Sequence, residues 1–305
     1  MAIPFSCPHC QLETLVAEEF VGQSGACAAC GKRITVPFLA DQQSLDPNEV
    51  VVGIPYRGKS VWTILMVVAV SIVAVVAAMS IFGALVFPAV TVVRTAAHKH
   101  RCTNNLEKIA QALQLYEADH GSLPPAFVAD EKGRPIHSWR VLILPYLGES
   151  GLSLRYDFNE PWDSAKNIQL TKLMPSVYAC PADPDSRTLG ESNYLVVVGS
   201  RTLFPGRDAC STSDITDELR TTLAVVESPA RGTAWTQPAD LPVENMQFMI
   251  NGEFGKEIGS QHDAGAYVLM ADGRVRFLSE LLPADYAAGM ATIAGGEPIP
   301  AELLD

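Results

Sequence analysis

Residues 61–87, VWTILMVVAVSIVAVVAAMSIFGALVF, run for 27 positions without a charged side chain. A helix rising about 1.5 Å per residue covers about 40 Å over that length, more than the roughly 30 Å hydrocarbon core of a bilayer. The chain is therefore expected to be built on either side of a membrane span. The run starts sixty residues in and is too long for the apolar core of a cleaved secretory signal, so one permanent anchor is predicted. Of 34 acidic and 22 basic residues, six and four precede the run and none lies within it. The region beyond it thus carries 28 and 18, a net charge of −10. Such a surface repels nucleic acid, and no basic stripe with interleaved aromatics offsets it.

Before the span, Cys7 and Cys10 form one CxxC and Cys27 and Cys30 a second, with sixteen residues between the pairs. Each pair can present two thiolates from one tight turn, and two such turns complete a tetrahedral four-sulfur shell for zinc. Short strands are expected after each pair, at Leu12, Leu15 and Val16 and again at Ile34, Val36 and Phe38. Gly31-Lys32 supplies the positive-φ turn that metal knuckles use. Residues 1–40 thus predict a zinc ribbon, a module whose folding a structural zinc drives and whose work is protein contact. Two disulfides would require an oxidising compartment, and a redox CxxC would require a βαβ setting that the sequence lacks. His9 reads as a loop residue, since four thiolates already fill the shell. Residues 41–60, with Pro47, Gly53, Pro55 and Gly58, predict an irregular linker.

After residues 61–87, a helical period continues through Pro88. Over residues 88–120, Leu106, Ile109, Ala110, Leu113 and Tyr116 lie on one apolar face. Asn104 with Glu107 is either a capping box opening a fresh helix or a polar pair within a continuous one. Gly121 and Pro124-Pro125 stop the helix. Downstream, SNYLVVVG, TTLAVVES, GTAWTQP and AYVLMADGRVRFLSE are strand-like, the last a hairpin with Asp272-Gly273 as its turn. The fold class is α+β, with a mainly antiparallel, β-rich body over residues 121–305.

The stretch FPAVTVVRTAAHKHRCTNNLEKIAQALQLYEADHGSLPPA resembles the helix of a bacterial prepilin-like family of unknown function. The likeness continues through SWRVLILPYLGESGL, EPWDS, YACPADPDS, SNYLVVVG, ITDELRTTLAVVES and TAWTQPADL. It ends with His262, nine residues, then Asp272-Gly273, the family's H-X9-DG signature, and Gly295-Gly296-Glu297. The resemblance implies a type IV pilin-like stem helix and a C-terminal β-sheet displayed outside the cytoplasmic membrane. Family members usually carry a prepilin peptidase site, Gly-Phe-Thr-Leu followed by Glu, at the head of the apolar helix. This chain has Gly58-Lys59-Ser60-Val61-Trp62-Thr63-Ile64 and no acid in the apolar run, so an uncleaved anchor is predicted in place of a polymerising pilin. Reduced, zinc-bound thiolates put the N-terminus in the cytoplasm and the large domain outside. Arg57 and Lys59 before the span, against Arg94, Lys99 and Arg101 after it, argue weakly for the reverse, and the zinc argument prevails.

Other residues tempt a site assignment. Ten residues of strand, at about 3.3 Å each, separate His262 from Asp272 by up to about 33 Å, so the two are expected not to share a site unless the chain folds back before Ala266. Among His98, His100 and Cys102 only the first and last align on a helix, and all three read as interfacial polar residues. Asp183, Asp185 and Glu191 match no EF-hand spacing and read as a solvated acidic turn. His120 and His137 are isolated and structural. Beyond the span the cysteines number three, Cys102, Cys180 and Cys210. An odd count leaves one unpaired or bonded to another chain. Cys102 with Cys180 is the preferred disulfide, tying the stem helix to the CPADPDS loop, with three free thiols as the alternative.

No GxSxG, Walker A, GxGxxG or HExxH motif occurs. The expected role is that of a non-enzymatic, membrane-anchored envelope protein that contacts other envelope proteins and has no small-molecule substrate. The alternative is a ligand-sensing module coupled to the ribbon, which a pocket lined by Trp139, Trp162 and Trp235 would favour. An enzyme would need a cleft with convergent titratable groups.

Overall fold

The computed structural model describes residues 2–38, 60–229, 232–253 and 255–303. The irregular linker expected at 41–60 lies, but for Ser60, outside the described residues. The chain divides into two compact units, residues 1–74 and residues 75–305.

The first unit opens with two hairpins. Strand β1 (Ala2–Ser6) pairs antiparallel with β2 (Glu13–Ala17), and β3 (Ser24–Ala26) pairs antiparallel with β4 (Arg33–Thr35). Of the residues expected in strands after each cysteine pair, β2 holds Leu15 and Val16 and β4 holds Ile34, while Leu12, Val36 and Phe38 lie just outside them. Each hairpin carries one CxxC at its turn. Among the described residues 2–38, only Cys7, Cys27 and Val36 are buried. Three side chains make no self-sufficient core, so the hairpins need another source of stability.

Helix α1 (Val61–His120) is one continuous α-helix of 60 residues. It resolves the choice at Asn104 and Glu107: they lie within a running helix. Its first 24 residues, Val61–Ala84, are long and apolar enough to cross a membrane, and none of that stretch is buried in protein. Trp62, Ile64, Leu65, Met66 and Phe82 all face outward. The hydroxyls of Ser71 and Ser80 donate back to the carbonyls of Val67 and Val76, at 2.8 Å each. Every polar group in lipid needs such an internal partner. From Cys102 onward the helix changes character: Cys102, Leu106, Ile109, Ala110 and Leu113 are buried along one face. It ends where Gly121, at φ 78°, donates to the Glu117 carbonyl. A glycine adopts that left-handed conformation without a Cβ clash.

The second unit continues with a hairpin of β5 (Phe127–Ala129) and β6 (Pro135–Ser138). Three short helices follow, α2 (Trp139–Leu142), α3 (Ser150–Ser153) and α4 (Pro184–Leu189). Strands β7 (Tyr194–Leu195), β8 (Val197–Val198), β9 (Leu223–Glu227), β10 (Leu241–Pro242), β11 (Gly265–Met270) and β12 (Val275–Ser279) complete the β structure, and α5 (Ala284–Met290) follows. The central sheet is antiparallel with order β12-β11-β9-β7, while β8 and β10 form a separate parallel pair. GTAWTQP forms no strand: among the described residues only Ala234 bridges, to Glu191.

The sheet has a core on each face. Tyr194, Ala224, Val225 and Leu269 belong with the α1 residues Leu106, Ile109 and Leu113. Leu195, Val226, Ala266, Val268 and Met270 belong with Ala287 and Met290 of α5. Two-residue alternation along β11 sends its side chains to the two sides in turn. Opposite it, the register of β9 steps from Val225 to Leu223 and leaves Ala224 unmatched, a bulge. Behind the α1 core, Arg140 and Asp240 form a buried ion pair, 2.6 Å from Nη2 to Oδ1. Trp139 Nε1 and the Val196 amide also donate to that Asp240 oxygen, at 3.2 and 3.0 Å.

Candidate functional site

The four N-terminal thiols converge. Cys7 Sγ lies 3.9 Å from Cys30 Sγ, and Cys10 Sγ lies 3.8 Å from Cys27 Sγ. All four sulfurs fall within 4.8 Å of one another. Those separations exclude disulfides, which hold sulfurs about 2.05 Å apart. They do fit a metal: four bonds of about 2.3 Å to a tetrahedral zinc give sulfur–sulfur edges of about 3.8 Å. The two turns are built alike. Gln11 and Gly31 donate to the carbonyls of Cys7 and Cys27, at 2.8 Å each, and Cys7 and Cys27 donate to Leu12 and Lys32. The residue after each pair is left-handed, Gln11 at φ 57° and Gly31 at φ 67°. Amides of Cys30 and Ala29 directed at the Cys27 sulfur lower that thiol to about 6, whereas Cys10, among the other three thiols, is pushed up to about 12. His9 is exposed, as its reading as a loop residue requires.

In the second unit, Cys102 on α1 and Cys180 before α4 are disulfide-bonded, with Cα atoms 5.4 Å apart and a sequence separation of 78. Cys210 is a free, buried thiol, pushed up to about 11 by burial and by the adjacent Asp214. The disulfide has two buried neighbours. His262 Nε2 lies 3.4 Å from Cys180 Sγ and 3.7 Å from Glu227 Oε1. Glu227, at the end of β9, accepts the Tyr267 N–H on Oε2 at 2.7 Å, while Oε1 is buried without a hydrogen-bond partner. Burial pushes this carboxyl up to about 8 and so keeps it protonated at neutral pH. Burial, with Lys99 and His98 nearby, pushes His262 down to about 4 and keeps it neutral.

His262 and Asp272 of the H-X9-DG motif stand at opposite ends of β11. Asp272 Oδ1 caps the Arg274 amide at 2.9 Å, and Gly273 takes φ 82° in the β11–β12 turn. Each half of the motif has its own task, the histidine beside the disulfide and the Asp-Gly in the turn. Glu227 escaped the sequence reading; its signal was a lone acid closing the apolar run LAVVE.

Several other residues singled out in the sequence have structural partners. Asp183 is buried where a solvated turn was expected: it caps Asp185 at the start of α4 and accepts Asn193 Nδ2 at 2.8 Å. Asp185 is exposed, and Glu191 accepts the Gly232 amide. His137 bonds the Tyr156 hydroxyl and the Phe158 carbonyl, and His120 stacks on Tyr116 at 4.0 Å. Cys102 is committed to its disulfide and so does not form a site with His98 and His100. Trp139 and Trp235 are fully buried core rings, and Trp162 is half-buried. The aromatic pocket that would favour a sensing module is therefore not where these tryptophans lie.

The chain thus combines a four-cysteine β module, one helix long and apolar enough to cross a membrane, and a disulfide-bonded α+β domain. The domain matches a family model described as a protein of unknown function, DUF1559, over residues 92–237 and 208–284, more than half of the chain. The chain belongs to that family. The match begins within α1 and leaves the cysteine module and the apolar half of the helix outside it. No curated protein and no solved structure matches the chain.

Proposed function

We propose that this chain is a single-pass membrane protein with a zinc ribbon in the cytoplasm and a pilin-like DUF1559 domain outside the cytoplasmic membrane. There the domain works by contact with other envelope proteins and not by catalysis. The observation that carries this reading is the unburied apolar stretch Val61–Ala84, followed in the same helix by a face that packs the domain core. The cysteine chemistry supports the direction. Four thiols poised for a metal suit a reducing compartment, and a disulfide suits an oxidising one. Zinc held by Cys7, Cys10, Cys27 and Cys30 would supply the stability that the ribbon's scant core lacks. Support for contact over catalysis comes from the burial of Glu227 and His262: this neighbouring acid and base lie inside the fold and not on its surface.

Protease treatment of intact cells producing the chain with a tag at each end tests the topology. The C-terminal tag is expected to be lost and the N-terminal tag protected. Protection of the C-terminal tag overturns the proposal.

A further inference from the structure

Disulfide, histidine and glutamate together carry more than a structural contact. We propose that reduction of Cys102–Cys180 converts this cluster into a second metal site, a tetrahedral Cys102, Cys180, His262 and Glu227 set that takes a zinc-type divalent ion. One donor atom from each of the four residues already lies within 4.8 Å of the others, and all four residues are buried. Around a tetrahedral zinc with bonds of about 2.0–2.3 Å, the edges between donors run roughly 3.3–3.8 Å. The observed Cys180–His262 and His262–Glu227 separations, 3.4 and 3.7 Å, are such edges. One edge is far too short: the sulfur–sulfur bond itself. Breaking that bond is the change that would open the tetrahedron.

The surroundings suit a ligand set. Glu227 Oε1 faces the cluster without a hydrogen-bond partner, while the Tyr267 amide holds the other oxygen and fixes the carboxylate plane. The His262 amide donates to Ser260 Oγ, whose hydroxyl donates to the Gly265 carbonyl, so the histidine loop is tied to the start of β11. The His262 ring stands edge-on to Tyr267 at 5.2 Å. Two sulfurs with one imidazole and one carboxylate favour zinc over magnesium or calcium, which take oxygen shells. Cys180 also lines a cavity of about 490 Å³ with Arg101, Asn104 and Arg187. In the reductive step an external dithiol supplies two electrons and two protons and leaves as its own disulfide. Metal binding then releases the two thiol protons and the proton of the Glu227 carboxyl.

The site does not depend on which side of the membrane the domain occupies, because it is tested on the purified full-length chain in detergent. Zinc bound per chain is measured with and without a water-soluble phosphine reductant, after removal of loose metal. Reduction is expected to add one zinc per chain to whatever the ribbon holds. His262→Ala, His262→Gln and Cys102→Ser/Cys180→Ser are expected to abolish the gain, and Glu227→Gln to weaken it at least tenfold. Circular dichroism and tryptophan fluorescence follow the fold throughout, and zinc is expected to preserve the folded signal of the reduced chain. The proposal is overturned by no gain on reduction, by a gain that persists in both His262 variants, or by loss of fold that zinc does not restore.

Discussion

Glu227 makes the stability of the domain depend on pH in a direction opposite to that of an ordinary carboxylate. In the fold its carboxyl is raised from an ordinary 4.5 to about 8 by burial. Folding therefore favours the protonated form, and the stability this allows is full below about pH 4.5 and is lost as pH rises toward 8. His262 works the other way: lowered from 6.5 to about 4, it favours the neutral form, and stability is lost as pH falls from 6.5 toward 4. Between pH 4.5 and 6.5 the two slopes oppose and nearly cancel. Between 6.5 and 8 Glu227 alone of these two titrates, with a slope of about 1.4 kcal/mol per pH unit, hence a contribution of about 2 kcal/mol lost across that window. For a domain of this size that corresponds to roughly 4–8 °C in Tm. Melting of the oxidised, full-length chain in detergent, followed by fluorescence with Trp139 and Trp235 as buried reporters, measures it. Glu227→Gln keeps an acceptor for the Tyr267 amide and removes the titration. The variant is expected to melt at the same temperature at pH 6.5 and 8, and above the wild type at pH 8. If it keeps the wild-type slope, or is less stable than the wild type at pH 8, the account of a neutral buried carboxyl is wrong.

Four further outcomes follow from the same structure. Asp240→Ala strands the buried Arg140 guanidinium and unpairs the Trp139 indole and the Val196 amide, so denaturant titration is expected to register a loss of about 3–5 kcal/mol, with Asp240→Asn costing less. Cys102→Ala/Cys180→Ala removes a cross-link spanning 78 residues and is expected to lower stability by about 2–4 kcal/mol in the same assay. Stripping metal with a strong chelator is expected to make residues 2–38 protease-sensitive while the melt of the DUF1559 domain stays unchanged. Edman or mass-spectrometric mapping of the mature chain is expected to find no N-terminus near residue 59; finding one there would replace the permanent anchor with a processed pilin.

What the sequence disclosed and what it withheld separate by range. The CxxC pairs, the apolar run, the helix stop at Gly121 and the Asp272-Gly273 turn are local signals, readable within a few residues. Gln11 slipped past because its left-handed turn lacks the glycine that marks Gly31. The α1 face was legible because a 3.6-residue period repeats along one element. The parallel pairing of β8 with β10, and the Arg140–Asp240 pair a hundred residues apart, depend on tertiary placement that no local pattern encodes. His262 is the sharpest case. Along its own strand the only partner in view is Asp272, and distance rightly argues against that partnership. Its actual neighbours, Glu227 and Cys180, reach it across the sheet and from the loop before α4.

The central claim is that one chain keeps two unlike cysteine chemistries in two compartments. Rapid acid quenching of cells, alkylation of free thiols and mass spectrometry without reduction tests it in a single measurement. The account predicts a Cys102–Cys180 linked peptide together with alkylated, unlinked Cys7, Cys10, Cys27 and Cys30. Disulfides among the four N-terminal cysteines, or free thiols at Cys102 and Cys180, would contradict it.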